Sequence, residues 1–287
     1  MKLSSSKDLF AELRGQGRGI PAFNVYDLKT VQSVLKASTE LQYPAMLAFG
    51  ERYLTSANFT EIYAVVSAAA ESFAYPVVLH LDHCSKLENI RKAVECGFRS
   101  VMYDGSSLPL EQNIENTKKA VQIAHSFDAA IEGELGYLNQ ENADIPSMST
   151  PDQYTSVEDA ITYCRETGVD SLAVSVGNVH GLYKGTPHLD FNRLDAIYKA
   201  VQKPLVLHGC SGISQKMLAK AMKTAVVKMN VNTEISLAAT DAIRFILDAS
   251  PNDTVIRYEK LLIAAGNAMT EAMKPFIEVC REPEKYL

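Results

Sequence analysis

The stretch Pro76-Val77-Val78-Leu79-His80-Leu81-Asp82-His83-Cys84 begins as a buried strand and ends in titratable groups. A short apolar run that follows a proline is typical of a strand inside a parallel sheet. A carboxylate and an imidazole, Asp82 and His83, then follow directly. Such groups are rare at the end of an apolar strand unless a function requires them. The stretch therefore predicts both a buried strand and a functional site at its carboxyl end.

Similar apolar runs recur along the chain between amphipathic stretches. The candidate strands start near Ala22, Ala45, Val77, Ser100, Ala129, Ser171, Leu205 and Lys228. Strands that alternate with helical patterns indicate βαβ units and a parallel sheet. Eight such units predict an α/β fold, a closed (β/α)8 TIM barrel that forms one domain over residues 1–287, with an extended C-terminal helical region at 257–280. A doubly wound open sheet is the alternative, but the glycine-rich turn of that fold does not follow the first strand.

The composition is that of an ordinary globular protein, with 47% hydrophobic and 22% charged residues and a net charge of −6. No long basic tract occurs, so nucleic acid and anionic membranes are poor candidate partners. The five cysteines are widely spaced without a C-x-x-C pair, which is typical of a reducing compartment. Neither an apolar signal region nor an apolar run of membrane-spanning length occurs. We therefore expect a cytoplasmic protein.

Three of the six histidines, His83, His180 and His208, follow the ends of three different predicted strands. In a barrel, the catalytic residues lie at the carboxyl ends of the strands. One such histidine alone is more often structural, but three at equivalent positions favour a metal site. Three imidazoles with one open position are typical of catalytic zinc, so we predict that these histidines bind one zinc ion. Cys84 and Cys210 are alternative soft ligands, which the three histidines make unnecessary.

Asp82 directly precedes a predicted metal ligand and is the predicted acid/base. A carboxylate beside a divalent cation can move the proton of a substrate hydroxyl, although Asp82 could instead only orient a histidine. His80 is expected on the same face of the strand, inside the barrel. A Schiff-base mechanism would need a lysine in the site, and Lys203 and Lys228 are predicted at the opposite ends of their strands. A metal-dependent hydrolase often has a His-x-His after the first strand, where this chain has Asn24-Val25-Tyr26.

Two loops rich in small and polar residues follow the last two strands. They are His208-Gly209-Cys210-Ser211-Gly212-Ile213-Ser214 and Asn230-Val231-Asn232-Thr233-Glu234. Small residues let backbone amides approach an anion, and these loops are the usual phosphate site of a barrel. Residues after strand six could close the site. The predicted substrate-binding residues are Gly181, Lys184, Gly209, Cys210, Ser211, Asn230, Val231, Asn232 and Thr233.

The connection between strands five and six is unusually long. Residues 137–153 are polar, contain two prolines and lack periodicity. Long irregular loops in compact domains are usually functional or disordered. Because this segment follows Glu132-Gly133-Glu134-Leu135-Gly136, we predict a lid over the site. A tolerated surface insertion is the alternative.

Six motifs in this order resemble class II, zinc-dependent aldolases over nearly the whole chain. They are Leu79-His80-Leu81-Asp82-His83, Met102-Tyr103-Asp104-Gly105-Ser106, Glu132-Gly133-Glu134-Leu135-Gly136, Gly177-Asn178-Val179-His180-Gly181-Leu182-Tyr183, Leu207-His208-Gly209-Cys210-Ser211-Gly212 and Asn230-Val231-Asn232-Thr233-Glu234. The resemblance is strongest to the ketose-bisphosphate aldolases of the fructose- and tagatose-bisphosphate type. It implies a lyase that cleaves a ketose 1-phosphate or bisphosphate reversibly to dihydroxyacetone phosphate and an aldehyde.

The same resemblance implies roles for individual residues. The three histidines would hold zinc, and Asp82 would exchange the proton of the hydroxyl on the aldehyde side. Asp104 and Glu134 match acids that hold a displaced or second metal ion. The groups expected around dihydroxyacetone phosphate, with a monovalent cation (Na⁺ or K⁺) nearby, are Gly181, Gly209, Ser211, Asn230 and Thr233. The family also implies a homodimer or homotetramer.

Two segments differ from the family pattern. Fructose-specific relatives have two glycines and then acids after the Glu-Leu-Gly motif, where this chain has Tyr137-Leu138-Asn139-Gln140-Glu141-Asn142; Glu141 is the candidate second catalytic acid. After strand two, relatives often have a Ser/Gly-rich segment near the distal phosphate, where this chain has Phe49-Gly50-Glu51-Arg52-Tyr53. Glu51 would repel a second phosphate, and Arg52 would attract one. The alternatives are an aldolase for a non-bisphosphate sugar phosphate and a non-catalytic, aldolase-like partner subunit.

Overall fold

Eight parallel strands close into a barrel in the order β1 to β8. The computed structural model describes residues 3–136, 150, 153–181, 183–224, 226–250 and 255–287. The strands are β1 (Ile20–Asn24), β2 (Ala45–Gly50), β3 (Val77–Cys84), β4 (Ser100–Tyr103), β5 (Ala130–Leu135), β6 (Ser171–Val174), β7 (Leu205–Leu207) and β8 (Val226–Val231). Each strand pairs in parallel with the next, and β8 pairs with β1. The predicted (β/α)8 TIM barrel is confirmed.

Helices surround the barrel and extend the chain beyond β8. In the described part of the chain they are α1 (Ser6–Gly15), α2 (Leu28–Glu40), α3 (Phe59–Ala70), α4 (Leu87–Cys96), α5 (Leu110–Ser126), α6 (Val157–Thr167), α7 (Phe191–Val201), α8 (Gln215–Thr224), α9 (Thr233–Asp248) and α10 (Tyr258–Arg281). Capping boxes start α2, at Asp27 and Thr30, and α3, at Asn58 and Glu61. The long α10 confirms the predicted C-terminal helical region. Within the described ranges, no helix is both long and apolar enough to cross a membrane.

Two layers of the barrel interior are polar. Alternate residues of a strand share a face, and hydrogen bonds between non-adjacent strands show which face points inward. The lower polar layer consists of His80 on β3, Glu132 on β5 and Lys228 on β8; the upper polar layer consists of Asp82, Glu134 and Asn230, each two residues further along the same strands. Barrel interiors are usually filled by branched apolar side chains. Polar groups at these depths therefore need partners inside the barrel.

Candidate active site

An irregular turn at the end of β3 directs His83 into the barrel mouth. The pairing of β3 with β4 shifts register between Leu81 and Cys84. His83 adopts a φ of 46°, in the left-handed region that non-glycine residues rarely occupy. Its Nδ1 lies 2.9 Å from Asp104 Oδ2. Bulges commonly re-aim a side chain next to an active site, and here the bulge brings His83 to the residues that follow β4 and β7.

The three predicted histidines come together at this mouth. Their ligand nitrogens lie within 4.8 Å of one another. His180 Nε2 is buried and has no hydrogen-bond partner among the residues the structure describes. Burial and the neighbouring His83 and His208 lower the pKa of His180 well below its usual value. A neutral imidazole with an unshared lone pair is the form that binds a metal ion, so the cluster fits a divalent metal.

Hydrogen bonds fix the orientation of His208. Its Nε2 lies 2.9 Å from Glu132 Oε1, and its Nδ1 lies 2.9 Å from His83 Nε2. Burial alone would raise the pKa of Glu132, but the charge of Lys228 and the bond to His208 outweigh it and lower the pKa to about 2. An ionised carboxylate only accepts hydrogen bonds. His208 Nε2 therefore donates to Glu132, and the lone pair on Nδ1 points at the other histidines.

The cluster stabilises positive charge at its centre. Burial alone would lower the pKa of His83, but Asp82, Asp104 and Glu134 outweigh it and raise the pKa to about 10. Burial and the charge of His83 lower the pKa of His208. In the protein alone, His83 therefore has the extra proton and donates from Nε2 to His208 Nδ1. A metal cation that replaced this proton would be stabilised by the same surrounding carboxylates.

Asp104 and Glu134 provide a second group of possible ligands. Together with His83, they place ligand atoms within 4.8 Å of one another. Ser106 donates from its backbone nitrogen and its hydroxyl to Asp104 Oδ1, at 3.1 and 2.7 Å. Both oxygens of Glu134 are buried without a hydrogen-bond partner in the described ranges. Burial and the charge of Asp104 raise the pKa of Glu134 well above its usual value, which a bound cation would reverse.

Asp82 is held between two amide donors. Asn24 donates to Oδ2 at 3.0 Å, and Asn230 donates to Oδ1 at 2.9 Å. Burial alone would raise the pKa of Asp82, but the charges of His83 and Lys228 outweigh it and hold the pKa well below its usual value. Asp82 is therefore an ionised, fixed carboxylate next to the histidine cluster. It can accept a proton from a group that enters the pocket.

The loops after β6, β7 and β8 pack closely around this centre. A Cβ on Gly209, whose φ is +63°, would lie 1.9 Å from the carbonyl oxygen of Val179. Only glycine therefore allows these two backbones to approach. Tyr183 donates to the Gly209 carbonyl oxygen at 2.8 Å, and Ser211 Oγ accepts from the backbone nitrogen of Glu234 at 3.2 Å. These contacts tie the three loops together.

Most of the predicted substrate-binding residues line one pocket with the acid and the histidines. Those lining it are Gly181, Gly209, Ser211, Asn230, Asn232 and Thr233, beside Asp82, His83 and His180. The other three do not line it: Lys184 is exposed, and Cys210 and Val231 are fully buried. The predicted lid acid Glu141 lies outside the described residues. The pocket also contains Arg52.

In the lower polar layer, His80 was expected inside the barrel and Glu132 lies in one of the six motifs, but Lys228 was not predicted as part of the site. Lys228 was predicted at the start of β8, away from the catalytic residues. The strand begins two residues earlier, and the side chain of Lys228 points into the barrel. Its Nζ donates to both oxygens of Glu132, at 2.8 and 3.0 Å, and to His80 Nε2 at 3.2 Å. Lys228 is paired with Glu132 and does not line the pocket, so we assign it no role as a Schiff-base nucleophile. Lys228 and Asn230 are two residues apart on one strand, so their side chains share a face. This spacing was the sequence signal that could have placed Lys228 inside the barrel.

Comparisons with known proteins agree with the barrel fold and identify the family. The family described as "Fructose-bisphosphate aldolase class-II" matches residues 4–285. The YdjI aldolase from Escherichia coli K12 is 29% identical, with a TM-score of 0.85 over 99% of this chain and 100% of that chain. A fructose-bisphosphate aldolase from Campylobacter jejuni has the same fold, with 22% identity and a TM-score of 0.82 over 98% of this chain and 96% of that chain. The chain therefore belongs to the class II fructose-bisphosphate aldolases, a family of metal-dependent lyases.

Proposed function

We propose that this protein is a zinc-dependent aldolase that cleaves a ketose 1-phosphate or a ketose bisphosphate of the tagatose or fructose 1,6-bisphosphate type. The products are dihydroxyacetone phosphate and an aldehyde, and the reaction is reversible. The observation that supports this best is the position of Asp82, an ionised carboxylate fixed by two amides beside three clustered histidines. A base at that place can take the hydroxyl proton whose loss starts aldol cleavage.

Zinc is the metal that three imidazoles and an open position suit. His83, His180 and His208 would hold it, and Asp104 and Glu134 would hold a displaced or second ion. When bound, zinc acts as a Lewis acid that stabilises the negative charge developing on the substrate oxygens. The buried nitrogen of His180 and the two buried oxygens of Glu134, which lack hydrogen-bond partners among the described residues, support this assignment.

Asp82 would move the proton on the aldehyde side. In cleavage, the bond between C3 and C4 of the ketose breaks, and its electron pair stays on the three-carbon fragment as an enediolate. Asp82 takes the proton of the C4 hydroxyl, whose carbon becomes the aldehyde. Protonation at C3 then gives dihydroxyacetone phosphate, and Glu141 is the proposed acid for that step.

The loops after β6, β7 and β8 would bind the phosphate of the three-carbon fragment. Gly181, Gly209 and Ser211 line the pocket where helix α9 begins. Asn232, at the N-cap of α9, makes no side-chain capping bond, and helix N-termini favour anions. Asn230 and Thr233 complete this side, and a monovalent cation (Na⁺ or K⁺) would offset part of the phosphate charge.

The first experiment measures dihydroxyacetone phosphate released from a panel of ketose 1-phosphates and bisphosphates. We expect release that a chelator abolishes and added Zn²⁺ restores. The variant His180→Ala should lose both bound zinc and activity, because it removes a ligand. His188→Ala, which changes an exposed histidine outside the pocket, should retain both. Release that is insensitive to the chelator, or no release by zinc-loaded protein, would contradict the proposal.

We further propose a homodimer or homotetramer. Exposed large apolar side chains are concentrated on α9 and α10, where Phe245 is 75% and Tyr258 71% exposed. Patches of this kind often mark association surfaces. Phe245→Glu should shift the mass measured by light scattering toward the monomer at micromolar concentration, whereas Glu259→Gln, which changes an exposed charged residue of α10, should not. A wild-type protein that is monomeric at that concentration would exclude the assembly.

A cytoplasmic location is proposed for the same protein. All five cysteines, Cys84, Cys96, Cys164, Cys210 and Cys280, are free thiols, and four of them are buried. Unpaired buried cysteines are typical of proteins from reducing compartments.

A further inference from the structure

An internal network of hydrogen bonds runs through the barrel from the histidine cluster to helix α1. Its members are six buried side chains, which are, in order, His208, Glu132, Lys228, His80, Ser100 and Ser6. Each is joined to the next by a contact of 2.7 to 3.2 Å. Ser4, just before α1, donates to the carbonyl oxygen of Val77, the first residue of β3. The network therefore connects a proposed metal ligand at the barrel mouth with the helix at the opposite end.

Lys228 is saturated at the centre of the internal network. An ammonium group has three protons to donate. The Nζ of Lys228 donates to both oxygens of Glu132, at 2.8 and 3.0 Å, and to His80 Nε2 at 3.2 Å. These three bonds use all three protons. Two strands, β5 and β3, thus fix the position of the ammonium group, and the ammonium group in turn holds both oxygens of Glu132.

The direction of the hydrogen bonds at His80 is determined from both sides. Lys228 donates to Nε2, so this nitrogen is the acceptor. Burial and the charge of Lys228 lower the pKa of His80 to about 3, so the ring is neutral and Nδ1 has the proton. Ser100 accepts from Nδ1 at 2.7 Å, and its own hydroxyl donates to Ser6 at 2.8 Å. Both ring nitrogens of His80 are therefore satisfied in a single arrangement.

The same direction continues into the histidine cluster. Glu132 accepts from Lys228 and from His208 Nε2. The lone pair of His208 is consequently on Nδ1, which lies 2.9 Å from His83 Nε2. If Glu132 were free to move, the proton of His208 could reside on either nitrogen and the ring could turn. Groups that bond the second nitrogen of a metal-bound histidine fix its tautomer and its orientation.

We propose that His80 is a positioning residue for the metal site. It holds Lys228 and thereby Glu132, which keeps the lone pair of His208 directed into the histidine cluster. This inference rests on the proposed zinc-dependent function. It also gives α1 a role in that function, because the first turn of α1 holds His80 through Ser100. A network that only stabilised the fold would leave the affinity for zinc unchanged.

The zinc affinity of metal-stripped protein, measured by competition with a chromophoric chelator, tests this role without relying on turnover. His80→Leu removes both hydrogen bonds of the ring. We expect it to weaken zinc binding by about 10-fold, the lower end of the effect of losing an outer partner, because His80 acts through two other residues. His80→Gln keeps an acceptor oxygen for Lys228 and should recover most of the affinity. Ser100→Ala should weaken binding by less than His80→Leu, but measurably.

Two comparisons separate positioning from a general loss of stability. Tyr43→Phe removes a buried hydrogen bond outside the internal network, from the hydroxyl to the carbonyl oxygen of Gly19 at 2.7 Å, and should bind zinc like wild type. Glu132→Gln should itself weaken zinc binding, and adding His80→Leu to it should have little further effect, because His80 acts through Glu132. Urea unfolding of each metal-free protein checks that it is folded under the binding conditions.

The outcomes distinguish this inference from the proposed function. Wild-type zinc affinity in His80→Leu, an equal loss in Tyr43→Phe, or fully additive effects of His80→Leu and Glu132→Gln would overturn the role of His80 and leave the metal site intact. Should His80→Leu fail to fold, wild-type affinity in Ser100→Ala would overturn it in the same way. A wild-type protein that binds no zinc would overturn the proposed function itself.

Discussion

The variant Asp82→Asn is expected to lower kcat by about 10²- to 10⁴-fold, the usual contribution of a general base, while the protein still binds zinc. The amide has the shape of the carboxylate but cannot take a proton. Asp82 does not belong to the histidine cluster that would hold the metal, so replacing it leaves those ligands in place. Turnover of the preferred substrate and zinc content per chain, measured on the same sample, separate the two effects.

Two further variants make this result specific. Asn24 and Asn230 both donate to Asp82, so an introduced amide would place a donor against a donor; Asp82→Ala avoids that conflict and should be equally inactive. His83→Ala should lose zinc as well as activity. A fully active Asp82→Ala protein would exclude Asp82 as the base, and loss of zinc from it would mean that Asp82 mainly positions His83.

The sequence predicted the barrel because its signals are local. Each strand is a short apolar run, and in a parallel barrel every carboxyl end lies at the same rim. Residues that follow such runs, such as His83, His180 and His208, can therefore be placed together without knowing any contact. The pocket residues Asp82 and Ser211 follow from the same argument.

The parts that were missed depend on contacts across the barrel. Lys228 on β8 pairs with Glu132 on β5, and the distance between these two side chains is set only when the eight strands close. The direction of Glu51 depends on Ser85 and Asn89, which lie on the next βα loop and helix. The left-handed turn at His83 coincides with the register shift between β3 and β4. The period of two along β8 could have placed Lys228 on the inward face, but no periodicity in the sequence encodes its pairing with Glu132, the direction of Glu51 or the turn at His83.

The variant Lys228→Met is expected to lower the free energy of unfolding by about 3–5 kcal/mol, the cost of removing one partner of a buried ion pair. Lys228 is fully buried, and Glu132 is 2% exposed. Without the ammonium group, the hydrogen bond from His208 would be the one remaining side-chain hydrogen bond to Glu132 among the described residues. Urea unfolding followed by circular dichroism, on metal-free wild type and variant, measures the difference.

The pH dependence and a double variant distinguish an ion pair from simple packing. The pKa of Glu132 is lowered from 4.5 to about 2 in the folded protein, so its stabilising contribution is present above about pH 4.5 and is lost as the pH falls toward 2. Lys228→Met should therefore differ most from wild type near neutral pH and least in acid. Adding Glu132→Gln to Lys228→Met removes the unpaired charge and should recover part of the lost stability. If the single variant is as stable as wild type at neutral pH, or if the second substitution adds its full cost, then the charge of Lys228 does not stabilise Glu132. The lower polar layer would then position His208 through hydrogen bonds alone.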